Sequence, residues 1–280
     1  MTDFNKIAFS LLKKGLRGQP KSARPVDLSE FSYQGNNTGT LPGLDGETVR
    51  DFQFNPNADV LYILTGTGMY QYSFTILNDL GSVFLQSSYI FGSHNYHAFN
   101  WKADGLSIFL LSDTSTSANI VEYEVNDKFN INSLGAIIKS RSIKNFINTA
   151  RALTFSSDGK YVFVNSSSTG QVVVFTMPTP FDIANATYTT GIYAGPSLRR
   201  AYISHTLYSP NEKFLQLNTA NSTISQYTFS ENPISFSADN VALDFSSLES
   251  NIVSFYLKPT GDKFFILGNE FKTVFEYVLT

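Results

Sequence analysis

Five stretches of this chain share one arrangement of apolar and polar positions: FQFNPNADVLYIL (52–64), FNWKADGLSIFLL (99–111), LTFSSDGKYVFV (153–164), TLYSPNEKFLQL (206–217) and FYLKPTGDKFFIL (255–267). In each, an apolar strand alternating with period two ends at an aromatic or leucine anchor. A turn rich in Pro, Asp, Asn or Gly follows, and a second alternating strand begins. The anchors Phe54, Trp101, Phe155, Tyr208 and Leu257 lie 47, 54, 53 and 49 residues apart, the spacing of propeller blades. A second landmark recurs about twenty residues past each anchor, at Tyr72, Tyr123, Phe175, Tyr227 and Tyr277.

Each unit therefore holds at least three strands in a meander. A fourth strand is expected at 82–91, 134–143, 186–195 and 241–248, but the fifth unit ends at its landmark strand, one residue before the C-terminus. A four-stranded blade with an empty edge leaves backbone groups unpaired, and ring closure removes such edges. Residues 26–34 (VDLSEFSYQ) are expected to supply the missing strand by pairing with 273–279. The expected fold is all-β, a five-bladed propeller over 26–280 with blades starting near 48, 96, 150, 202 and 251, preceded by a basic N-terminal arm over 1–25.

The turn sequences SSDGKYVFV and KPTGDKFFIL resemble the strand-turn-strand of WD40-like and YVTN/NHL-like propellers, and VVVFTMPTPFDIANATY (172–188) resembles a blade ending of those repeats. No unit has the Trp-Asp ending or Gly-His opening of WD40 repeats proper. The resemblance covers about residues 48–280 and implies a fold, not a function.

Composition agrees with many short strands: 25 Phe, 15 Tyr and only 15% charged residues, where exposed helices would demand more Lys and Glu. The absence of cysteine excludes disulfides and thiolate metal sites. No apolar run reaches the roughly 18 residues needed to cross a bilayer, and the N-terminus lacks a secretory signal pattern, so the expectation is a soluble chain, or part of a soluble assembly, that is not transmembrane and has no signal peptide.

The formal net charge of −3 is unevenly spread: the first 24 residues hold six cations and one acid, which leaves −8 for the rest. Within this arm Phe4, Ile7, Ala8, Leu11 and Leu12 form one apolar stripe of a helix, followed by Lys13 and Lys14 and by Gly15 as a stop. A helix this short is marginal alone and needs a surface. Phe4, Ile7, Leu11, Leu12, Lys13 and Lys14 are read as an anchor into a larger assembly. Docking back onto the propeller and binding to a membrane surface stay open as alternatives.

Candidate chemistry is sparse. Asp51 is the only carboxylate on the strands before the anchors, too few for the paired acids of a glycosidase, although the loop acids Asp45 and Glu47 leave a glycosidase- or lactonase-like enzyme open. The acids Asp104, Asp158 and Asp262 read as turn formers. His94, His97 and His205 lack an acid cluster, so neither a metal nor any other cofactor is expected. Four residues before each anchor stand Arg50, His97, Arg151, Ser204 and Val253, of which Arg50, His97 and Arg151 are candidates for a cationic channel mouth.

The sequence thus points to a non-enzymatic structural or adhesive propeller. Its expected partners are other assembly proteins through the arm, in a setting such as a phage virion, and a cell-surface glycan or protein at the propeller face; a cytoplasmic interaction scaffold is the alternative. The acidic body is not expected to bind nucleic acid.

Overall fold

The computed structural model describes residues 31–76, 79–92, 94–193, 198–204, 213–219, 222–231, 234–248, 251–258, 263–270 and 272–279. The arm, His205 and Asp262 lie outside the described residues. Among these residues the chain forms five four-stranded antiparallel sheets, each a meander, arranged as the five blades of a propeller. Blade one comprises β2 (Val49–Phe54), β3 (Val60–Thr65), β4 (Gly68–Phe74) and β5 (Val83–Ile90). Blade two comprises β6 (Tyr96–Trp101), β7 (Ser107–Asp113), β8 (Ala118–Val125) and β9 (Leu134–Ser142). Blade three comprises β10 (Ala150–Phe155), β11 (Tyr161–Ser166), β12 (Gln171–Thr176) and β13 (Thr187–Tyr193). Blade four comprises β14 (Leu198–Ser204), β15 (Lys213–Asn218), β16 (Thr223–Glu231) and β17 (Ile234–Asp244). Blade five is β18 (Ile252–Leu257), β19 (Lys263–Gly268), β20 (Thr273–Leu279) and, from the other end of the sequence, β1 (Phe31–Thr40).

The ring is closed by an N-terminal strand: of the expected 26–34, residues 31–33 pair with 277–279, the strand runs on to Thr40, and 26–30 lie outside the described residues. β1 pairs Phe31 with Leu279 and Tyr33 with Tyr277, then shifts register and pairs Thr38 with Phe275 and Thr40 with Thr273. A tight backbone bond from Leu41 N–H to the Lys272 carbonyl (3.0 Å) continues the closure. β17 also departs from expectation. It starts at Ile234 rather than 241, because β16 turns back directly with Glu231 opposite Ile234. Among the described residues no helix is long and apolar enough to cross a membrane.

Period-two alternation gives each strand of a blade two apolar faces, and the core is accordingly divided into the five seams between blades. The second strands show the rule. Leu64, Leu111, Leu217 and Leu267 occupy one position and face the next blade; Leu110, Val164, Ile266 and Ile63 meet them from it. The seam between blades three and four breaks the rule. Its register places Asn165 and Gln216 at these two positions, one step along from the paired rings of Phe163 and Phe214, whose centroids are 5.9 Å apart.

Both amides are fully buried, and neither finds a hydrogen-bond partner among the described residues. Replacing both partners of a buried polar pair by apolar groups of similar shape is neutral or stabilising. Asn165→Leu with Gln216→Leu should therefore raise the urea midpoint, corresponding to about 1–3 kcal/mol. A lower midpoint for the double variant would show that the amides hold the seam together.

Candidate functional site

The innermost strands β2, β6, β10, β14 and β18 ring the channel, and each ladder to its second strand slips once, at the same place. Val49 pairs with Thr65 and Asp51 with Leu64, which skips Arg50. The same slip skips His97 between Tyr96 and Ala98, Arg151 between Ala150 and Ala152, and Val253 between Ile252 and Ser254. A bulge leaves its extra residue out of the ladder and re-aims it. Here it turns these residues toward the face where the inner strands begin.

Blade four corrects the sequence reading. Leu198 pairs with Asn218 and Arg200 with Leu217, so the skipped residue is Arg199 and not Ser204. Ile203 lies opposite Phe214 as Phe54 lies opposite Leu61, which makes Ile203 the anchor in place of Tyr208.

Arg50, His97 and Arg151 meet at one cavity of about 450 Å³ at the channel mouth, together with Thr48, Ser167, Thr219, Asn251, Val253 and Asn269. No carboxylate lines it among the described residues, and neither Asp45 nor Glu47 is part of it. Glu47 is instead held by the Thr67 hydroxyl at 2.9 Å. A second cavity of about 400 Å³ shares His97 and Arg151 and extends over Asn95, Lys144 and Asn148.

The two arginines are held differently. Arg151 Nη1 donates to the buried Asp113 carboxylate at 2.9 Å, an acid that also faces Lys144 Nζ at 3.4 Å. Arg50 has no acidic partner among the described residues. Its Nη1 donates to the Asn95 side chain, to the Tyr96 carbonyl at 2.6 Å and toward His97 Nδ1 at 3.4 Å. Burial, and then the charge of Arg151, push the Arg50 pKa below its ordinary value. A guanidinium nevertheless stays protonated in proteins, so Arg50 is a cation without a counter-charge of its own.

His97 is pushed down to about 4, first by burial and then by the charges of Arg151 and Arg50. Its ring is therefore neutral at physiological pH. Nε2–H donates to the Asp113 carbonyl at 3.3 Å, which leaves Nδ1 as the acceptor facing Arg50.

Below the mouth, the inner strand of blade one is tied to those of its neighbours, blades two and five. Asp51 accepts from Ser254 Oγ at 2.6 Å and from the Phe99 N–H at 3.1 Å. Gln53 donates to the Phe99 carbonyl at 3.0 Å and accepts from the Trp101 N–H at 3.2 Å. The only carboxylate on the strands before the anchors is thus a fastener of inner strands.

The other candidates are accounted for locally. His94 bonds the Phe91 carbonyl at 3.0 Å and stacks on Tyr96, and the described residues contain no group of His, Cys, Asp and Glu able to hold a metal. Asp104 and Asp158 accept from backbone N–H groups two residues on, at Leu106 and Lys160.

No protein-family model and no curated protein sequence matches this chain. Among solved structures it is similar to a chain of the mitotic checkpoint complex, 11% identical with a TM-score of 0.51, over 91% of this chain and 94% of that one. It is also similar to a periplasmic gluconolactonase from Pseudomonas aeruginosa, 10% identical with a TM-score of 0.51, over 79% of this chain and 78% of that one. A functionally unknown protein from Desulfotomaculum acetoxidans matches at 16% identity with a TM-score of 0.48, over 79% of this chain and 65% of that one, so the chain spans less than two thirds of its length. At these identities the likeness is one of fold alone.

Proposed function

We propose that the chain is a non-enzymatic binding propeller that takes an anion at the mouth of its channel. The observation that carries this reading is a cavity onto which Arg50 and Arg151 converge and which no carboxylate of the described residues lines. Partly desolvated guanidinium groups bind oxyanions through charge-assisted bonds about twice as strong as neutral ones. A carboxylate, sulfate or phosphate group of a glycan or protein would complete the partial pairing of Arg50. The arm over 1–25 remains, as a proposal from sequence, the tether of this module to a larger assembly such as a virion.

Calorimetry of the full chain with sulfate and citrate at low ionic strength tests the reading. Binding is expected to weaken with added salt, and to fall more than tenfold in Arg50→Ala/Arg151→Ala, since each charged hydrogen bond contributes roughly 1.5–3 kcal/mol. If the wild-type chain binds neither anion, the reading is wrong. If it opens glucono-1,5-lactone faster than buffer does and the double variant does not, the module is an enzyme instead.

A further inference from the structure

The cavity at the channel mouth, of about 450 Å³, and the cavity between blades two and three, of about 400 Å³, both have His97 and Arg151 in their walls, so they adjoin as two lobes of one furrow. Each lobe has a cation of its own. Arg50 belongs to the first alone and Lys144 to the second alone, while Arg151 stands between them with the buried Asp113 at 2.9 Å. Lys144 reaches the same acid at 3.4 Å, so three cations share one carboxylate and the furrow walls are left with a formal charge of +2. Between the cations stand uncharged hydrogen-bonding groups. The side chains of Thr48 and Thr219 in the first lobe, and of Ser115 and Asn148 in the second, form no hydrogen bond among the described residues. The turn into β10 is strained as well: Thr149 is β-branched, yet its φ is 54°, which its counterparts Thr48, Asn95 and Asn251 avoid. Bonds between Thr149 Oγ1 and the Ser168 hydroxyl and N–H, at 2.6 and 3.0 Å, hold that turn, with Asn148 before it and Arg151 after it on the second lobe.

What the walls lack narrows the ligand. Among the described residues the only ring in either lobe is His97, so no aromatic platform offers a stack to a nucleobase. Apolar side chains are confined to Val49, Ile252 and Val253 in the first lobe, and the second has none, so the apolar anchors of a peptide have no pocket there. Separated cations with open hydroxyl and amide groups between them match a ligand that carries anionic groups at intervals and hydroxyls throughout. We propose that the two lobes form a furrow for a linear acidic oligosaccharide of the uronic-acid type, with one carboxylate on Arg50 at the channel mouth and a later one at Lys144 between blades two and three. This rests on the anion-binding reading above and adds to it the chemical class and the length of the ligand.

Calorimetry of the full chain at pH 7.5 and low salt, with sulfate, galacturonic acid, tri-galacturonate, maltotriose and tri-glutamate as probes, tests the furrow. Tri-galacturonate should bind at least about tenfold more tightly than galacturonic acid, because its second carboxylate meets Lys144 as part of the same molecule. It should also exceed tri-glutamate, which has the charges without the hydroxyls, by about tenfold, and maltotriose, which has the hydroxyls without the charges, should not bind. Lys144→Ala should weaken tri-galacturonate about tenfold and change galacturonic acid less than about threefold. Ser115→Trp places a bulky ring in the second lobe at an exposed loop position whose side chain has no hydrogen bond among the described residues. It should bring tri-galacturonate down to the affinity of galacturonic acid, and it keeps the test valid if Lys144→Ala, which strips one cation from Asp113, fails to fold.

Sulfate binding with no preference for tri-galacturonate over galacturonic acid would overturn the furrow and leave the anion reading standing. So would a folded Ser115→Trp that binds tri-galacturonate as tightly as the wild type. Tri-glutamate binding as tightly as tri-galacturonate would replace the sugar by an acidic peptide. No binding of any probe would remove both readings.

Discussion

A chain that begins after Thr40 should not unfold as a cooperative monomer, and a synthetic peptide covering residues 26–41 should restore that behaviour when added in trans. β1 covers the outer edge of β20, whose sequence TVFEYVL is a run of good strand formers. Stripped of its partner, that edge is an apolar template for pairing with another chain. The loss also reaches the seams. Phe31 packs on Phe264 at a centroid distance of 5.9 Å, and Tyr33 on Tyr277 at 5.3 Å and Phe275 at 6.1 Å.

Burying each such ring contributes about 1.5–3 kcal/mol, and six paired positions of ladder go with them, so the loss is a large part of a native stability of about 5–15 kcal/mol. Size-exclusion chromatography and a thermal melt decide the matter. If the truncated chain stays monomeric and melts where the full chain does, closure by β1 is not what holds the ring.

The ring itself was open to reading because each blade repeats two independent signals, a period-two strand ending at an anchor and an aromatic one strand later. Four of the five anchors hold the same distance to the second strand: Phe54 to Leu61, Trp101 to Ile108, Phe155 to Val162 and Leu257 to Phe264 are each opposed across the hairpin. Tyr208 misled because SPNEKF looks like the other turns. It stands one residue too near Phe214 for that spacing, and the pairing of Ile203 with Phe214 puts the strand end five residues earlier. The segments RDFQF (50–54), RALTF (151–155) and RRAYI (199–203) carry an arginine at the same offset from their last residue. That was the available signal for Arg199.

The bulges were not legible. A one-residue slip leaves no mark on composition, and yet it decides whether the residue at that position faces the channel or a seam. The role of Asp51 was hidden for a related reason. Its partners Ser254 and Phe99 lie 203 and 48 residues away, and only the closed ring brings them together.

Asp51→Asn should cost more stability than any other single polar change in the channel. The native carboxylate meets donors from several directions: Oδ1 accepts from its neighbour Phe52 N–H at 3.0 Å and from Ser254 Oγ, and Oδ2 accepts from Phe99 N–H. An asparagine of the same shape must place its NH2 group at one of the two oxygens. Either choice sets donor against a backbone N–H that cannot turn away. Hydrogen bonds to a buried charge are worth about 1.5–3 kcal/mol each, so losing one and weakening a second should lower stability by about 3 kcal/mol.

Ser254→Ala removes one donor and leaves the carboxylate its backbone partners, so it should cost about 1 kcal/mol, nearer a single ordinary bond. Arg50 precedes Asp51 directly and owes its direction to the same short segment of β2. The asparagine variant should therefore also weaken sulfate binding, whereas Ser254→Ala should leave it intact. Urea titrations of both variants, read beside their sulfate isotherms, separate the two effects. Equal stability for Asp51→Asn and the wild type would mean that the inner strands are held by apolar packing alone.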